Sequence, residues 1–291
     1  EESPTKVILR GKTMGTTFAI TIEELSDAQR LPEIELAIEQ RLADINQIMS
    51  TYITASEISQ FNRSQTTDWY NVSKELLGIV RLAQSISEQS QGAFDITVGP
   101  AVNLWKFGPQ TEANSADRNG IPTPDDVAQV LKHIGYQQLH TRDNPPGIKK
   151  DDPQLQIDLS AIAKGYAVDQ IIELLAALQL DIQYMVEIGG EIRTVSHPQN
   201  RDNRRTWRLE IQDPSGQAGT ARRIVAVNNQ AIATSGDYVN YYEIEGVRYS
   251  HTIDPTTAKP VHHQLASTVV ITDTCAAADA WATALLVLGP K

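Results

Sequence analysis

The sequence predicts an α+β fold, and the order of its helix and strand patterns carries this prediction. Helix and strand patterns alternate irregularly at first, and after residue 184 strand patterns follow one another with only polar turns between them. Strands joined by short turns pair antiparallel, whereas a doubly wound α/β sheet needs a helix after each strand. The 291 residues, 41% apolar and 21% charged, suit one large domain or two closely packed lobes.

The first part of the chain mixes helix and strand patterns. Ser73 is a candidate N-cap, and Asn144-Pro145-Pro146-Gly147 is typical of a turn. The stretch 50–63 is polar and turn-rich, and 110–124 is the most polar, loop-like part of the chain. Predicted strands are 16–22, 137–140, 147–150 and 155–159; predicted helices are 32–49, 73–90 and 124–134.

The second part predicts a helix after Ser160, a series of antiparallel strands and a final helix. Glu245-Gly246 is the tightest hairpin signal among the turns. Predicted strands are 184–188, 191–195, 207–212, 223–228, 231–234, 241–245, 247–251 and 268–271, and the final helix is 274–288.

Composition and missing motifs exclude several classes of function. A net charge of −11 argues against a nucleic-acid partner. The sequence contains no run of ~18 apolar residues, which a membrane-spanning helix would need. One cysteine, Cys275, excludes an internal disulfide and a multi-cysteine metal site, and we expect it to be a buried core thiol. The P-loop, Rossmann, G-x-S-x-G and H-E-x-x-H motifs are absent.

The stretch 157–169 (I-D-L-S-A-I-A-K-G-Y-A-V-D) is a candidate anion site. Ser160 is a plausible N-cap, and Lys164 adds a charge one turn into the predicted helix. Helix starts offer unpaired N–H groups to anions. Gly165 would let another backbone approach closely. The alternative is an ordinary capped helix with a solvated lysine.

Asp279 and Thr283 are a candidate metal pair, because residues four apart share one face of a helix. Carboxylate and hydroxyl oxygens suit Mg²⁺ or Ca²⁺ rather than Zn²⁺. The alternative is that Asp279 accepts a hydrogen bond from a neighbouring backbone. His251, in S-H-T-I-D-P, is a candidate for proton transfer or positioning, although a structural role is the alternative.

The chain resembles the ApbE family of FAD:protein FMN transferases in nine motifs that occur in order. They are M-G-T-T-F at 14–18, M-S-T-Y at 49–52, G-A-F-D-I-T-V-G-P at 92–100, N-L-W-K-F-G at 103–108, D-L-S-A-I-A-K-G-Y-A-V-D at 158–169, I-G-G-E at 188–191, A-T-S-G-D-Y at 233–238, H-T-I-D-P at 251–255 and A-D-A-W-A-T-A-L at 278–285. Each motif is weak alone, but their common order makes another family improbable.

The resemblance implies Mg²⁺-dependent transfer of the FMN half of FAD to a Thr or Ser hydroxyl of a target protein, with release of AMP. It also implies mixed or antiparallel sheets packed with helices, with FAD in a cleft between two lobes. The implied FAD-lining residues are Met14, Tyr52, Ala93, Phe94, Asp95, Asp158, Lys164 and Ile253, and the implied metal ligands are the Ala161 carbonyl, Asp279 and Thr283. For assisting loss of the acceptor proton, His251 is our first candidate and Asp237 our second.

The resemblance also implies the setting in which the protein works. Targets in the family are subunits of membrane redox pumps and related flavoproteins. We expect an exported, periplasmic protein whose precursor carries a lipid anchor. We expect one family-type domain over 1–291, with a soft boundary near residue 110 if it forms two lobes. Two other functions stay open: an Mg²⁺-dependent FAD pyrophosphatase that releases FMN and AMP, and a non-catalytic FAD-binding protein.

Overall fold

The structure, a computed structural model, combines helices with mainly antiparallel strands, as predicted, and describes residues 5–25, 27–109, 121–180, 182–196, 206–213, 221–237 and 241–290. The helices are α1 (Leu31–Met49), α2 (Glu57–Arg63), α3 (Lys74–Gln89), α4 (Gly99–Leu104), α5 (Pro124–Leu131), α6 (Ala163–Ala177) and α7 (Cys275–Leu288). The strands are β1 (Thr5–Thr13), β2 (Thr16–Leu25), β3 (Tyr70–Asn71), β4 (Leu139–Arg142), β5 (Gly147–Lys150), β6 (Tyr184–Ile188), β7 (Glu191–Val195), β8 (Trp207–Gln212), β9 (Ala221–Val227), β10 (Ala231–Gly236), β11 (Tyr241–Ile244), β12 (Val247–Ser250), β13 (Ile253–Asp254), β14 (Lys259–Pro260) and β15 (Ser267–Thr272). Within these ranges, no helix has the length and apolarity needed to cross a bilayer.

The chain divides into two compact units, each built from separate segments. The first unit comprises Glu1–Ile45, Ile162–Ser235 and Val269–Ala282. The second comprises Asn46–Ala161, Gly236–Thr268 and Thr283–Lys291. The expected soft boundary near residue 110 lies outside the described residues.

A six-stranded sheet, in the order β1-β2-β6-β7-β10-β15, forms the centre of the first unit. The cross-strand pair Ile20 and Val186 is buried, so this face of the sheet belongs to the core. Helix α6 packs on β6 and β7 with Val168 and Ile171 fully buried. The start of α6 therefore lies over the sheet, at the position where the functional side chains described below converge.

Helix α1 shows how a sequence pattern becomes packing. Ile34, Ile38 and Leu42 recur at four-residue spacing and retain 0%, 1% and 3% of their exposure. This spacing places them on one face of the helix, and burying that face supplies most of the stability of such an amphipathic helix. The predicted helix at 32–49 is confirmed, with a start one residue earlier, at Leu31.

The second unit contains the three-stranded sheet β3-β5-β4 and the hairpins β11–β12 and β13–β14. Trp105 anchors one of its cores, because its buried indole N–H donates to the carbonyl of Ala258 at 2.7 Å. The Asp158 N–H donates to the carbonyl of Ile96 at 2.7 Å. This bond holds two of the family-like motifs, at 92–100 and 158–169, side by side.

The start of α6 differs from the prediction. Ser160 is not its N-cap: the helix begins at Ala163, and Ile162 precedes it without a side-chain cap. The reason is local, because the Asp158 carboxylate accepts the Ser160 N–H at 2.7 Å and forms a turn there instead. The predicted strand at 155–159 is reduced to one isolated bridge between Gln156 and Val98.

Three further elements differ from the prediction. The turn-rich stretch 50–63 contains α2, which Ser56 caps by accepting the Ser59 N–H at 3.1 Å. Residues 5–13 form β1, which the sequence did not indicate because Gly11 and charged residues weaken the strand pattern. The third concerns the grouping of the later strands, which the sequence left open: β10 and β15 join the central sheet, whereas β8–β9 and β11–β12 form separate two-stranded ribbons.

Candidate active site

The first turn of α6 places Lys164 between two acidic side chains of the first unit. Its Nζ lies 3.3 Å from Oε1 of Glu191 and 3.6 Å from Oδ2 of Asp279. The carboxylates are almost fully buried, with side-chain exposures of 4% and 3%, while Lys164 retains 26%. These contacts argue against the alternative, in which Lys164 is a solvated helix lysine.

Burial and mutual charge set the protonation of this cluster. Burial lowers the pKa of Lys164, but the charges of Asp279 and Glu191 outweigh it and hold that pKa above its ordinary value. Burial raises the pKa of Glu191 to about 8, and the neighbouring lysine opposes this rise. Lys164 is therefore a cation at neutral pH. An anionic ligand needs such a local positive charge, because the protein as a whole carries a net charge of −11.

Helices α6 and α7 meet at Gly165. A Cβ at this position would lie 2.3 Å from the carbonyl oxygen of Cys275, so only glycine permits this approach. The Gly165 N–H donates to Oδ2 of Asp279 at 3.1 Å. The predicted close approach of another backbone at Gly165 is confirmed, and it brings Asp279 to the start of α6.

Asp169 joins α6 to the start of α7. Its two carboxylate oxygens accept the N–H groups of Cys275 and Ala276, each at 2.9 Å. Arg193 on β7 reaches Oδ1 at 2.6 Å. Burial raises the pKa of Asp169, while the two N–H groups and Arg193 oppose the rise. This buried cap holds the start of α7 in place, and with it Asp279, which lies one turn further along the helix.

A run of stacked aromatic rings in the second unit ends at His251. Ring centroids are 5.7 Å apart between Trp105 and Tyr249, 5.4 Å between Tyr249 and Tyr242, and 5.2 Å between Tyr242 and Phe107. His251 meets Phe107 edge-on at 6.3 Å. The imidazole thus stands beside a rigid aromatic surface that the β11–β12 hairpin helps to build.

Tyr52 lies near the same surface and near Asp158. It is 67% exposed, and its hydroxyl donates to the carbonyl of Phe107 at 3.4 Å. Partial burial raises the pKa of Tyr52, and the charge of Asp158 adds to the rise. The second unit thus groups three of the predicted residues, Tyr52, Asp158 and His251, around Phe107 and the 158–160 turn.

The motif Ala93-Phe94-Asp95 is packed rather than exposed. All three residues are buried. Oδ1 of Asp95 accepts the N–H and the hydroxyl of Thr97 at 2.8 and 2.7 Å, and Oδ2 accepts the Tyr136 N–H at 2.7 Å. Burial raises the pKa of Asp95, and these donors oppose the rise. In this structure the carboxylate organises its own loop.

Comparison with known proteins now assigns the family. The ApbE family model matches residues 14–291. This chain belongs to the ApbE family. The FAD:protein FMN transferase of Vibrio cholerae is 39% identical to it over 291 residues, which cover 100% of this chain and 84% of that protein. The protein of the same name from Escherichia coli K12 is 37% identical over 286 residues, covering 98% and 79%.

Solved ApbE structures share the fold. The flavin transferase ApbE from Vibrio cholerae matches with a TM-score of 0.86 at 37% identity, covering 99% of this chain and 88% of that one. The apo form of the Pseudomonas stutzeri flavinyl transferase ApbE matches with a TM-score of 0.86 at 32% identity, covering 100% and 87%. The family resemblance and the predicted α+β class are both confirmed.

The residues that the ApbE resemblance assigns to FAD are divided between the two units. Met14 and Lys164 belong to the first unit; Tyr52, Ala93, Phe94, Asp95, Asp158 and Ile253 belong to the second. Met14 forms the β1–β2 turn with a positive φ of 49°, and Ile253 is buried in the core around Trp105. Their contacts with FAD stay a prediction.

The predicted metal ligands offer the donors that Mg²⁺ prefers. Asp279 and Thr283 lie four residues apart on α7, and Ala161 lies in the turn before α6. Both contacts described for Asp279 use Oδ2, so a cation would approach Oδ1. Among the described residues, no group of three or more His, Cys, Asp or Glu side chains could hold a metal ion.

Both interpretations of Asp279 persist, because its bond to the Gly165 N–H is the backbone contact that was the alternative to metal binding.

The second candidate base, Asp237, lies 3.7 Å from Nη2 of Arg248, and its motif neighbour Tyr238 falls outside the described residues. Sequence reasoning missed Glu191 and Asp169 as parts of the site. An acidic residue within an otherwise apolar pattern was the available signal for Asp169.

Proposed function

We propose that this protein transfers the FMN half of FAD to a Thr or Ser hydroxyl of a target flavoprotein, in an Mg²⁺-dependent reaction that releases AMP. The observation that carries the proposal is the buried cluster of Lys164 with Glu191 and Asp279. Phosphoryl-type transfer needs positioning and charge neutralisation more than covalent help. Relatives with 37% and 39% identity bear the name FAD:protein FMN transferase, which supports the same reaction.

In the proposed reaction, the acceptor hydroxyl oxygen forms a bond to the phosphorus of the FMN half. The bond between this phosphorus and the bridging oxygen breaks, and the bridging oxygen leaves with AMP. The hydroxyl proton passes to a base, for which His251 beside Phe107 is the first candidate and Asp237 the second. The ammonium of Lys164 would counter the negative charge of the diphosphate.

Asp279, Thr283 and the Ala161 carbonyl would hold Mg²⁺. The ion would neutralise charge on the phosphates and on the departing AMP. The protein's own contribution is to fix the carboxylate: the Gly165 N–H restrains Oδ2 of Asp279, and Asp169 restrains the helix that carries it. This arrangement would keep the Asp279 carboxylate oriented before any substrate arrives.

One assay separates the proposal from its two alternatives. The protein is incubated with FAD, Mg²⁺ and a target that carries an acceptor Thr, and the target mass and AMP release are followed. Flavinylated target together with AMP supports the transferase. Free FMN with unmodified target supports the pyrophosphatase, and intact FAD supports a binding protein. The last two outcomes contradict the proposal.

Asp279→Ala tests the metal assignment. The variant should lose turnover, because it removes the one carboxylate among the proposed ligands. Asp273→Ala is the matched control: this exposed aspartate lies just before the same helix, and its removal should leave turnover near the wild-type value. Full activity of Asp279→Ala without added metal would refute the assignment.

Lys164→Ala tests the role of the cation. The variant should bind FAD about tenfold more weakly or worse, since a charged contact to a phosphate is lost. Lys74→Ala, which removes an exposed lysine in the first turn of α3, is the control. Fluorescence titration of FAD measures both, and an unchanged dissociation constant for Lys164→Ala would show that its charge serves only the ion pairs.

We also propose an exported, periplasmic protein anchored through a lipid, with subunits of membrane redox pumps or related flavoproteins as targets. This part rests on the family resemblance alone. Fractionation of cells that express the full precursor tests the location, and mass spectrometry of flavinylated proteins in cells with and without the gene tests the target class. Recovery in the cytoplasm would contradict the proposed location.

A further inference from the structure

We propose that Glu191 is a positioning residue that holds the Lys164 ammonium where the diphosphate of the bound dinucleotide needs it. The inference rests on the proposed function and deepens it, because it gives the β6–β7 turn a task in FAD binding. Glu191 acts through Lys164 and needs no contact of its own with FAD. The turn itself is the pair Gly189-Gly190, which separates β6 from β7.

The geometry of the turn places the Glu191 carboxylate. Ile188 pairs with Glu191 across Gly189 and Gly190, whose φ values are 60° and 101°. A two-residue turn with positive φ values fixes the first side chain of β7 relative to the sheet. From this position, Oε1 of Glu191 lies 3.3 Å from Nζ of Lys164, closer than the 3.6 Å from Nζ to Asp279.

The same turn also restrains the aliphatic part of the lysine. A Cβ on Gly189 would lie 3.2 Å from Cδ of Lys164 and 2.8 Å from Cγ2 of Thr16. The Gly189 N–H donates to the carbonyl of Thr17 at 3.1 Å, which ties the turn to β2. The absence of a side chain at Gly189 therefore leaves room for the stem of Lys164, Glu191 pairs with its ammonium, and the turn is itself held by the central sheet.

Packing alone does not account for a glutamate at this position. Glu191 is buried, and its Oε2 has no hydrogen-bond partner in the described part of the chain. A buried acceptor without a donor opposes folding. A residue that is unfavourable for stability but holds a functional cation is typical of a binding site. A positioning role predicts a loss of FAD affinity that depends on Lys164, whereas a purely structural role predicts a loss that does not depend on it.

Two substitutions separate these roles. Glu191→Met keeps a similar volume and removes the acceptor, whereas Glu191→Gln keeps an oxygen that can accept from Lys164. Each is made in the wild type and in Lys164→Ala, and FAD affinity and thermal unfolding are measured. We expect Glu191→Met to weaken FAD binding about fivefold or more in the wild type and to add nothing in Lys164→Ala. We expect Glu191→Gln to bind FAD nearly as well as the wild type. Glu191→Met should also lower the melting temperature, because it removes one partner of a buried ion pair, so the comparison of FAD affinity in the two backgrounds decides the inference.

Several results would overturn the inference. They are an unchanged FAD affinity in Glu191→Met, an equal loss in both backgrounds, or a Glu191→Gln variant that binds as weakly as Glu191→Met. If Glu191→Met does not fold, Glu191→Asp decides through the same cycle, because it withdraws the carboxylate by one methylene and keeps the charge. Failure of the proposed function is separate: it appears as wild-type protein that binds no FAD or leaves the target unmodified.

Discussion

Asp169→Ala removes the side chain that joins α6, β7 and the start of α7, and it should destabilise the first unit strongly. Two backbone N–H groups, those of Cys275 and Ala276, would lose their acceptor, and Arg193 would lose its carboxylate. Each hydrogen bond to a charged group contributes about 1.5–3 kcal/mol. Breaking a buried ion pair by removing one partner costs about 3–5 kcal/mol.

These contributions overlap, because the same carboxylate makes all three contacts, so we expect a loss of about 4 kcal/mol rather than their sum. For a chain of this length the melting temperature should fall by about 5–10 °C. Asp169→Asn should lie between the wild type and Asp169→Ala, since its one carbonyl oxygen can still accept one of the two N–H groups.

Differential scanning calorimetry measures the effect, with an exposed helix cap as the matched control. Thr123 caps α5 on the surface by accepting the Asp126 N–H, so Thr123→Ala should cost about 1 kcal/mol. The difference between the two losses of stability measures what burial and the ion pair with Arg193 contribute. A loss for Asp169→Ala as small as that for Thr123→Ala would refute the assignment of Asp169 as a buried clamp.

Two further predictions concern backbone packing and a buried charge. Gly165→Ala should cost about 3 kcal/mol or more in urea unfolding, because its Cβ would meet the Cys275 carbonyl at 2.3 Å. Gly78→Ala in α3, whose Cβ would meet nothing within 4 Å, should instead gain about 0.5–1 kcal/mol, and similar effects at both sites would contradict this reasoning. Lys150 is fully buried and donates to the Leu155 carbonyl at 3.0 Å; burial lowers its pKa, against the opposing charge of Asp152. The unfolded chain therefore binds more protons between that lowered pKa and the ordinary value of 10.5, so stability should rise with pH in this window, and Lys150→Met should remove this rise. Equal pH slopes for Lys150→Met and the wild type, in thermal unfolding from about pH 7 to 10, would contradict the prediction.

Local signals predicted the regular elements well. The four-residue spacing of Ile34, Ile38 and Leu42 predicted α1, and Ser73 caps α3 by accepting the Leu76 N–H at 3.0 Å, as expected. The Glu245-Gly246 turn adopts φ values of 52° and 76°, the positive values that such a hairpin requires. In each case residues within one or two turns of each other decide the conformation, so a single sequence contains the information.

The grouping of strands into sheets was beyond the sequence. The order β1-β2-β6-β7-β10-β15 joins segments that are far apart in the chain, and alternation along one strand does not identify its partner. The predicted antiparallel series had nearly correct strand bounds, but it did not specify that β8–β9 and β11–β12 form ribbons separate from the central sheet. Non-local pairing depends on which faces can be buried together, a property that appears only when the whole unit is assembled.

The candidate site follows the same division between local and non-local information. The sequence could suggest the pair Asp279 and Thr283, because its spacing lies within one helix, and the binding of a metal by this pair stays a prediction. Glu191 could not be predicted, because its function depends on a lysine from another element. Asp169 is the intermediate case: it lies four residues after Gly165 and three before Ile172, on the buried face of α6. An acid on such a face must have a partner, since an isolated buried carboxylate is too costly. The sequence can therefore predict that Asp169 is paired, but only the structure identifies Arg193 and the start of α7 as its partners.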